Sequence, residues 1–483
     1  MIQARALTSG TFYLTLMQAS QYITLFIFYI MVARFLSPGE VGSFSLLLMI
    51  LAVFNTFTLL ALNNAVIKYV SEGLGSGDED YALSSSWKAF KIILATSIPA
   101  LTLGFLISPV ISTYVGTGVL EVLSILTSAF ILNLTSYYGA LMYGYSMFRE
   151  VSLQNIIYTF SCRFIGLTLA LTGLRILGLS LGFLIGSTIT LIYSIWVLRW
   201  RIKYLSRVFP SLTLLKFSMP IYGANIIGLI QSWLDVAILS SITDLNTTGT
   251  YYIAVASITP LSILWQPLSS ALFPTLSWIN GSGRRDEVLE LSMKALRIVT
   301  AIVLPLSLGL ASIPKTALSI VYGEKYAGAS IPFTILSSTT ILAAYTSIYN
   351  VKLQSVGKTK PILTAGIAST ATYITLLSST IILKQIGAAI ARAIMTAIGF
   401  IILHREAEVK IPGNLKRSIV VALIIVSTLT PIELLLKSEL YTKALVEAAV
   451  LIASLPITFK LLKPLSSQEI EVIKSIIPWK PKH

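Results

Sequence analysis

The chain alternates long apolar runs with short polar connectors from Thr11 to the region of Lys460. Each run has about 20 residues, the length that an α-helix needs to cross the hydrocarbon core of a bilayer. The pattern predicts fourteen membrane-spanning helices: 11-33, 41-65, 89-112, 119-144, 153-173, 177-198, 217-241, 250-276, 296-320, 330-350, 361-383, 386-403, 418-436 and 442-460. The predicted fold class is therefore an all-α, polytopic membrane protein with no sizeable soluble domain.

Composition supports a membrane protein and narrows its chemistry. Of 483 residues, 55% are hydrophobic and 11% are charged, whereas soluble domains carry about 25% charged residues. The single cysteine, Cys162, excludes an intramolecular disulfide, and it cannot form a Cys/His metal cluster with His404 and His483. We therefore expect no metal site and no cofactor.

Charge is distributed unevenly between the two sides of the predicted bundle. Of the 35 Lys and Arg residues, 26 lie at the N-terminus, after even-numbered spans or in the C-terminal tail, and seven lie after odd-numbered spans. Cytoplasmic loops carry such an excess, so both termini are predicted to be cytoplasmic and the protein to reside in the cell membrane. The net charge of +15 is then mainly an insertion signal, and nucleic acid is not an expected partner. The two remaining cations, Arg163 and Arg392, lie inside predicted spans.

The sequence contains an internal repeat. Residues 75-99 align without gaps on residues 281-305 at an offset of 206, with eleven identities in 25 positions. The identities include a Gly-Ser-Gly turn at the start of each copy and Pro99 with Pro305 at the end. Six predicted spans, an even number, separate the copies, so both copies cross the membrane in the same sense. Transporters built from parallel repeats bind substrate between their halves.

The repeat predicts how the chain is divided. With a shift of one residue, the alignment of the two copies extends to Gly42 and Gly249. The predicted organisation is an N-terminal six-helix lobe at 1-200, a cytoplasmic linker at 201-216, a C-terminal six-helix lobe at 217-405, additional helices 13 and 14 at 406-461, and a cytoplasmic tail at 462-483.

Three segments resemble a known transporter family. They are residues 33-42 (ARFLSPGEVG), residues 322-326 (YGEKY) and residues 354-360 (QSVGKTK). Their order and the predicted span count resemble oligosaccharide flippases of the polysaccharide transporter family, in the superfamily that also holds MATE drug exporters and lipid II flippases. The acidic loop at 71-80 argues against the major facilitator fold. The resemblance implies transfer of a lipid-linked oligosaccharide to the outer leaflet, with glycan-assembly enzymes as further partners.

Arg163 is the strongest candidate for a substrate contact. It lies near the middle of span 153-173, where an arginine costs about 2.5–3.5 kcal/mol unless it faces water or a partner. We expect it to contact either a phosphate or glycan in a central cavity, or a carboxylate or helix-end carbonyls in a structural pair. Asp235 in span 217-241 is the candidate coupling residue for H⁺ or Na⁺, with a salt-bridge role as the alternative.

Further polar residues and prolines complete the predicted site. The other substrate-binding candidates are Arg34, Lys68, Asn55, Gln266 and Arg392. Interfacial anchoring, topology charge and interhelical hydrogen bonds are their structural alternatives. Proline frees a backbone carbonyl and permits bending, so the candidate hinges are Pro99, Pro260, Pro267 and Pro305.

Three functions compete at this stage. The first is a lipid-linked oligosaccharide flippase, of which a lipid II flippase is a close variant. The second is a cation-coupled multidrug exporter of the MATE type, for which Asp235 is the only carboxylate well inside the first helix of either lobe. The third is a membrane glycosyltransferase or polymerase, which the short outer loops disfavour.

Overall fold

The computed structural model describes residues 2–199, 209–436 and 439–462. The part of the predicted linker at 201–208 and the predicted tail from 463 onward lie outside the described residues. The described helices are α1 Ile2–Phe35, α2 Pro38–Leu59, α3 Leu62–Gly75, α4 Glu79–Leu106, α5 Ser108–Val115, α6 Val119–Gly144, α7 Phe148–Phe160, α8 Gly166–Leu169, α9 Arg175–Leu198, α10 Ser211–Ile242, α11 Leu245–Ile258, α12 Gln266–Gly281, α13 Arg285–Ser312, α14 Pro314–Tyr322, α15 Ser330–Ser355, α16 Lys360–Leu376, α17 Thr380–Ala407, α18 Leu415–Leu435 and α19 Leu440–Leu462.

The all-α, multi-pass prediction is confirmed. Ten segments of the described chain are long and apolar enough to cross a membrane. Two of them, Phe148–Leu198 and Lys360–Ala407, each cover two of the predicted spans. The count of fourteen spans stays a prediction.

The described chain forms two compact units, residues up to Tyr252 and residues from Ile253 onward. In the first unit, Asn133 on α6 donates from Nδ2 to Thr58 Oγ1 on α2 at 2.5 Å and to Ser97 Oγ on α4 at 2.9 Å. Within lipid, where apolar contact alone gives little net drive for association, such buried hydrogen bonds help to join helices. The predicted lobe boundaries at 1-200 and 217-405 stay a prediction.

The second unit contains a core of similar construction. Tyr345 on α15 shares a 2.6 Å hydrogen bond with Thr300 on α13, and Tyr349 shares one of 2.9 Å with Nδ1 of His404 on α17. Ile348, between these two tyrosines, is fully buried. Tyrosine hydroxyls therefore join α13, α15 and α17 through an otherwise apolar interior.

The internal repeat is visible in the backbone. Helices α4 and α13 both have 28 residues, and each follows a turn with a glycine at positive φ, +76° at Gly77 and +78° at Gly283. Pro99 and Pro305 lie at the same position of the two helices. The helix bounds thus reproduce the sequence offset of 206.

The predicted span 41-65 is two helices rather than one. Leu60 and Ala61 adopt left-handed conformations with φ of 50° and 54°, which ends α2 and starts α3 at Leu62. This conformation costs roughly 1–2 kcal/mol for each non-glycine residue. The hydroxyl of Thr96 donates to the carbonyl of Thr58 at 2.6 Å, so one carbonyl near the break keeps a partner.

Candidate functional site

The candidate site is centred on Arg163. Helix α7 continues into a π-helical turn at Ser161–Ile165, in which each residue bonds to the fifth along the chain. Tyr158 and Arg163 are five residues apart, and the two side chains interact electrostatically. Such turns are rare and frequently occur at functional sites.

Three glycines on α9 determine where this turn lies. A Cβ atom at Gly182 would be 2.1 Å from the Cα of Gly166, and one at Gly186 would be 2.5 Å from the backbone nitrogen of Cys162. Gly178 makes a similar approach one turn earlier. Small residues at every fourth position let two membrane helices meet backbone to backbone. The position of the turn that carries Arg163 is therefore fixed by main-chain contact.

The Arg163 guanidinium lies among aromatic hydroxyls. Its Nη1 atom is buried and has no hydrogen-bond partner among residues 2–199, 209–436 and 439–462. The guanidinium interacts electrostatically with Tyr29 and Tyr252, whose hydroxyls hydrogen-bond to each other at 2.6 Å. Trp233 stacks on the Tyr252 ring at a centroid distance of 6.0 Å. We call Arg163, Tyr29, Tyr252 and Trp233 the Arg163 cluster.

The chemistry of the Arg163 cluster suits an anion or a polyhydroxylated group. A guanidinium carries five N–H donors in a planar fork, and a tyrosine hydroxyl both donates and accepts. A phosphate can accept two parallel hydrogen bonds from such a fork. A buried donor without a partner carries a desolvation penalty that a ligand oxygen would relieve.

A cavity of about 290 Å³, lined by both apolar and polar side chains, lies in the same unit as the cluster. Tyr158, which interacts with Arg163, also lines this cavity. Asn63, Gln154 and Asn155 contribute amides to the cavity wall. The cavity therefore places hydrogen-bonding groups next to the Arg163 cluster.

Asp235, the predicted coupling residue, is fully buried in α10. Its carboxylate accepts a hydrogen bond from the Tyr251 hydroxyl on α11 and one from the backbone nitrogen of Val236 at 2.8 Å. This contact joins α10 to α11, and a role in coupling stays a prediction.

In the part of the chain that the structure describes, no three His, Cys, Asp or Glu side chains lie together as metal ligands.

The other candidates of the first unit lie apart from one another. Arg34 is exposed in the last turn of α1. Lys68 is exposed on α3, and its ammonium lies 4.5 Å from the ring centroid of Tyr69 and 4.7 Å from that of Phe217. Asn55 on α2 has a buried Oδ1 with no hydrogen-bond partner among the described residues. Asn55 therefore also has capacity for a ligand, and the roles of all three residues stay predictions.

Gln266 and Arg392 belong to the second unit. Arg392 on α17 lines a cavity of about 240 Å³ together with Trp265 and Thr259. Gln266 is the first residue of α12 and is half-buried. Their predicted contacts with substrate stay predictions.

The predicted hinges occupy two kinds of position. Pro99 and Pro305 lie inside α4 and α13. The predicted span 250-276 is not one bending helix, because a 3₁₀ segment at Thr259–Leu264 separates α11 from α12. Pro260 and Pro267 lie in the first turns of this segment and of α12, where a missing N–H costs no helical hydrogen bond. Their hinge role stays a prediction.

Sequence reasoning missed most of the Arg163 cluster. Tyr29, Trp233 and Tyr252 were not singled out, because aromatic residues are common in apolar helices and their contacts join distant parts of the chain. One usable signal was present. The spacing of Gly178, Gly182 and Gly186 is the small-residue pattern of close helix pairs, and it points to α9 as a helix on which another helix packs closely.

Comparison with solved structures confirms the fold. The chain is similar to the lipid II flippase MurJ in an inward closed conformation, with a TM-score of 0.76 and 16% identity over 92% of this chain and 98% of that chain. It is also similar to an inward-facing multidrug resistance MATE family transporter of the MOP superfamily, with a TM-score of 0.65 and 13% identity over 80% of this chain and 94% of that one. These similarities show that the chain shares the all-α membrane fold of both transporters.

Comparison of sequences identifies the family. The chain is 24% identical over 383 residues to the probable low-salt glycan biosynthesis flippase Agl15 of Haloferax volcanii. The aligned region covers 77% of each protein. The family model described as "Polysaccharide biosynthesis protein" matches residues 31–331, more than half of the chain. This protein belongs to the polysaccharide biosynthesis protein family.

Proposed function

We propose that this protein is a flippase that moves a lipid-linked oligosaccharide, carried on a polyprenyl phosphate or pyrophosphate, from the inner to the outer leaflet. Transport proceeds by alternating access of two lobes. The observation that carries the proposal is the buried, unpartnered Nη1 donor of Arg163 among the described residues. The names of Agl15 and MurJ as flippases support the same class of function.

The physical argument concerns the polar head of such a substrate. Its phosphate and sugars are poorly soluble in hydrocarbon, so a path through the membrane needs hydrogen-bond donors inside the protein. Arg163 and the Tyr29–Tyr252 hydroxyl pair provide these donors at one place in the first unit. We propose further substrate contacts at Arg34, Lys68, Asn55, Gln266 and Arg392, and coupling to H⁺ or Na⁺ at Asp235.

A MATE-type exporter of cationic drugs is the second candidate. The similarity to MATE transporter structures and the buried carboxylate of Asp235 favour it. The Arg163 guanidinium argues against it, because a fixed positive charge with a spare donor repels a cationic drug. A glycosyltransferase or polymerase has the least support, since the similar proteins are transporters.

Reconstituted transport tests the proposal. The purified protein is placed in liposomes with a fluorescent polyprenyl-pyrophosphate oligosaccharide, and the fraction moved between leaflets is followed over time. A parallel set of liposomes receives a cationic dye. The variants are Arg163→Ala, Arg163→Lys and, as a matched control, Arg284→Ala, whose arginine is 44% exposed and paired with Glu287.

A hydrogen bond to a charged group contributes about 1.5–3 kcal/mol, which corresponds to roughly a tenfold to hundredfold change in rate or affinity. We expect Arg163→Ala to reduce oligosaccharide transfer by this factor. Lysine keeps the charge but not the planar fork, so Arg163→Lys should retain intermediate activity. Folded Arg163→Ala with unchanged oligosaccharide transfer would contradict the proposal. Dye transport that is lost in a further variant, Asp235→Ala, would favour the exporter.

We also propose a cell-membrane location with both termini in the cytoplasm and assembly with glycan-forming enzymes. The charge asymmetry supports this orientation. Single cysteines introduced near each terminus can be labelled with an impermeant maleimide in intact and opened cells. The native Cys162 is only 1% exposed, so background labelling is low. Labelling in intact cells would reverse the proposed orientation.

A further inference from the structure

Two glutamates of the C-terminal helices form a group that the proposed transport site does not use. Glu433 lies at the end of α18, and Glu447 lies seven residues into α19. Helix α18 packs on α13 and α19, and α19 packs on α14, around an apolar cluster that includes Ile313, Ile425 and Leu451. The two carboxylates are therefore enclosed where three helices meet.

Glu433 has a full set of hydrogen-bond donors. Its Oε1 accepts from the backbone nitrogens of Lys315 and Thr316 at 3.1 and 3.2 Å, at the start of α14. Its Oε2 accepts from the Thr316 hydroxyl at 2.6 Å and pairs with the Lys443 ammonium at 2.7 Å. A carboxylate with a cation and several N–H and O–H donors is stable in its ionised form.

Glu447 has the opposite environment. It is 1% exposed, and both carboxylate oxygens are buried without a hydrogen-bond partner among the described residues. The groups that it interacts with are Glu433, Lys443 and Thr316, and the latter two already donate to Glu433. A second negative charge here would lack a donor and would be repelled by Glu433, at a cost that normally favours the neutral form of a buried acid.

The charged groups around Glu447 decide which ligand fits. Glu433 comes from α18, the Thr316 hydroxyl from α14, and Lys443 from α19 itself. The Lys443 ammonium already occupies the cation position beside Glu433, which argues against a metal ion. Two facing carboxylates are both acceptors when ionised, so a hydrogen bond between them requires one added proton.

We propose that Glu433 and Glu447 together bind one proton, with Glu447 as its carrier, and that this proton fastens α19 to α14 and α18. Loss of the proton leaves two buried negative charges with one ammonium to offset them, so α19 keeps the Lys443–Glu433 pair but gains a buried, repelled charge at Glu447. The site is independent of the proposed substrate and of the Arg163 cluster. The attachment of α19 is thus predicted to weaken as the pH rises from mildly acidic to neutral values.

The test measures thermal unfolding of the full-length protein in lipid nanodiscs as a function of pH. Glu447→Gln carries a permanent neutral side chain of the same shape, and the control Glu439→Gln changes an exposed carboxylate just before α19. We expect the wild type and Glu439→Gln to lose heat resistance as the pH rises, and Glu447→Gln to lose this dependence. An unchanged pH dependence in folded Glu447→Gln would overturn the proposal.

A second variant tests the charge balance even if Glu447→Gln does not fold. Lys443→Gln removes the ammonium that partly offsets the two carboxylates. The proton should then bind more tightly, so the midpoint of the pH-dependent loss of stability should rise by about one pH unit, a tenfold change in proton affinity. A midpoint that stays in place or falls would show that the transition does not come from this pair.

Discussion

Helices α2 and α11 cross at a pair of glycines, and this crossing gives a sharp prediction. A Cβ atom built on Gly249 would be 1.8 Å from the carbonyl oxygen of Pro38 and 2.6 Å from the backbone nitrogen of Gly42. A Cβ on Gly42 would be 2.2 Å from the carbonyl oxygen of Leu245. All of these neighbours are main-chain atoms, so no rotation of a side chain relieves the overlap.

The expected cost of Gly249→Ala follows from these distances. Ordinary van der Waals contact begins near 3.4 Å, so the new methyl group is 1.6 Å (3.4 − 1.8) too close to Pro38. The two helices have to separate by a comparable amount. Overpacking of this kind typically costs about 1–3 kcal/mol, whereas alanine in place of glycine in an open helix gains about 0.5–1 kcal/mol.

The matched control is Gly228→Ala on α10, where a Cβ atom meets no described heavy atom within 4 Å. Free energies of unfolding of both variants are measured for the full-length protein in mixed micelles. We expect Gly249→Ala to be less stable than the wild type and Gly228→Ala to be equal or slightly more stable. If the two variants were equally stable, the close approach of α2 and α11 would be refuted.

Three further predictions follow from the first unit. Gly182→Ala should lower both stability and oligosaccharide transfer, since its Cβ would be 2.1 Å from the Cα of Gly166; normal transfer would separate this contact from the function of the Arg163 cluster. Asn133→Leu should cost about 1–3 kcal/mol in free energy of unfolding, because it leaves buried partners without their donor; a neutral result would show that the polar contact adds nothing. The backbone N–H of Thr247 lowers the pKa of Asp244. In unfolding measured against pH, the stability difference between wild type and Asp244→Ala should therefore be present above the usual aspartate pKa of about 3.9 and vanish as the pH falls through the lowered pKa. A difference that persists at the lowest pH would contradict this assignment.

Features that depend on neighbouring residues in the chain were predictable. The Gly-Ser-Gly turns reappear as two turns with positive φ at Gly77 and Gly283, and each is followed by a 28-residue helix. Glycine is the residue that adopts this backbone without strain, so the sequence carries the information locally. The same holds for the apolar runs that form the membrane helices.

Features set by tertiary contact were not predictable. The helix break at Leu60 and Ala61 contains neither glycine nor proline at the break itself, and the π-helical turn at Ser161–Ile165 has no glycine or proline within it. Both depend on side chains or backbones from other helices. The candidate site shows the same division, because the cost of a buried arginine identified Arg163, whereas its tyrosine neighbours come from distant helices.

The meeting of Gly42 with Gly249 bears on the origin of the chain, since the repeat places these two residues at equivalent positions. In an ancestor of half this length, a homodimer would bring one glycine against its own copy across a true twofold axis. One residue position of the sequence would then supply the glycine on both sides of the contact. Duplication and fusion of such an ancestor would turn that position into two. Each glycine would then constrain the other, because a methyl group on either one disturbs the shared crossing.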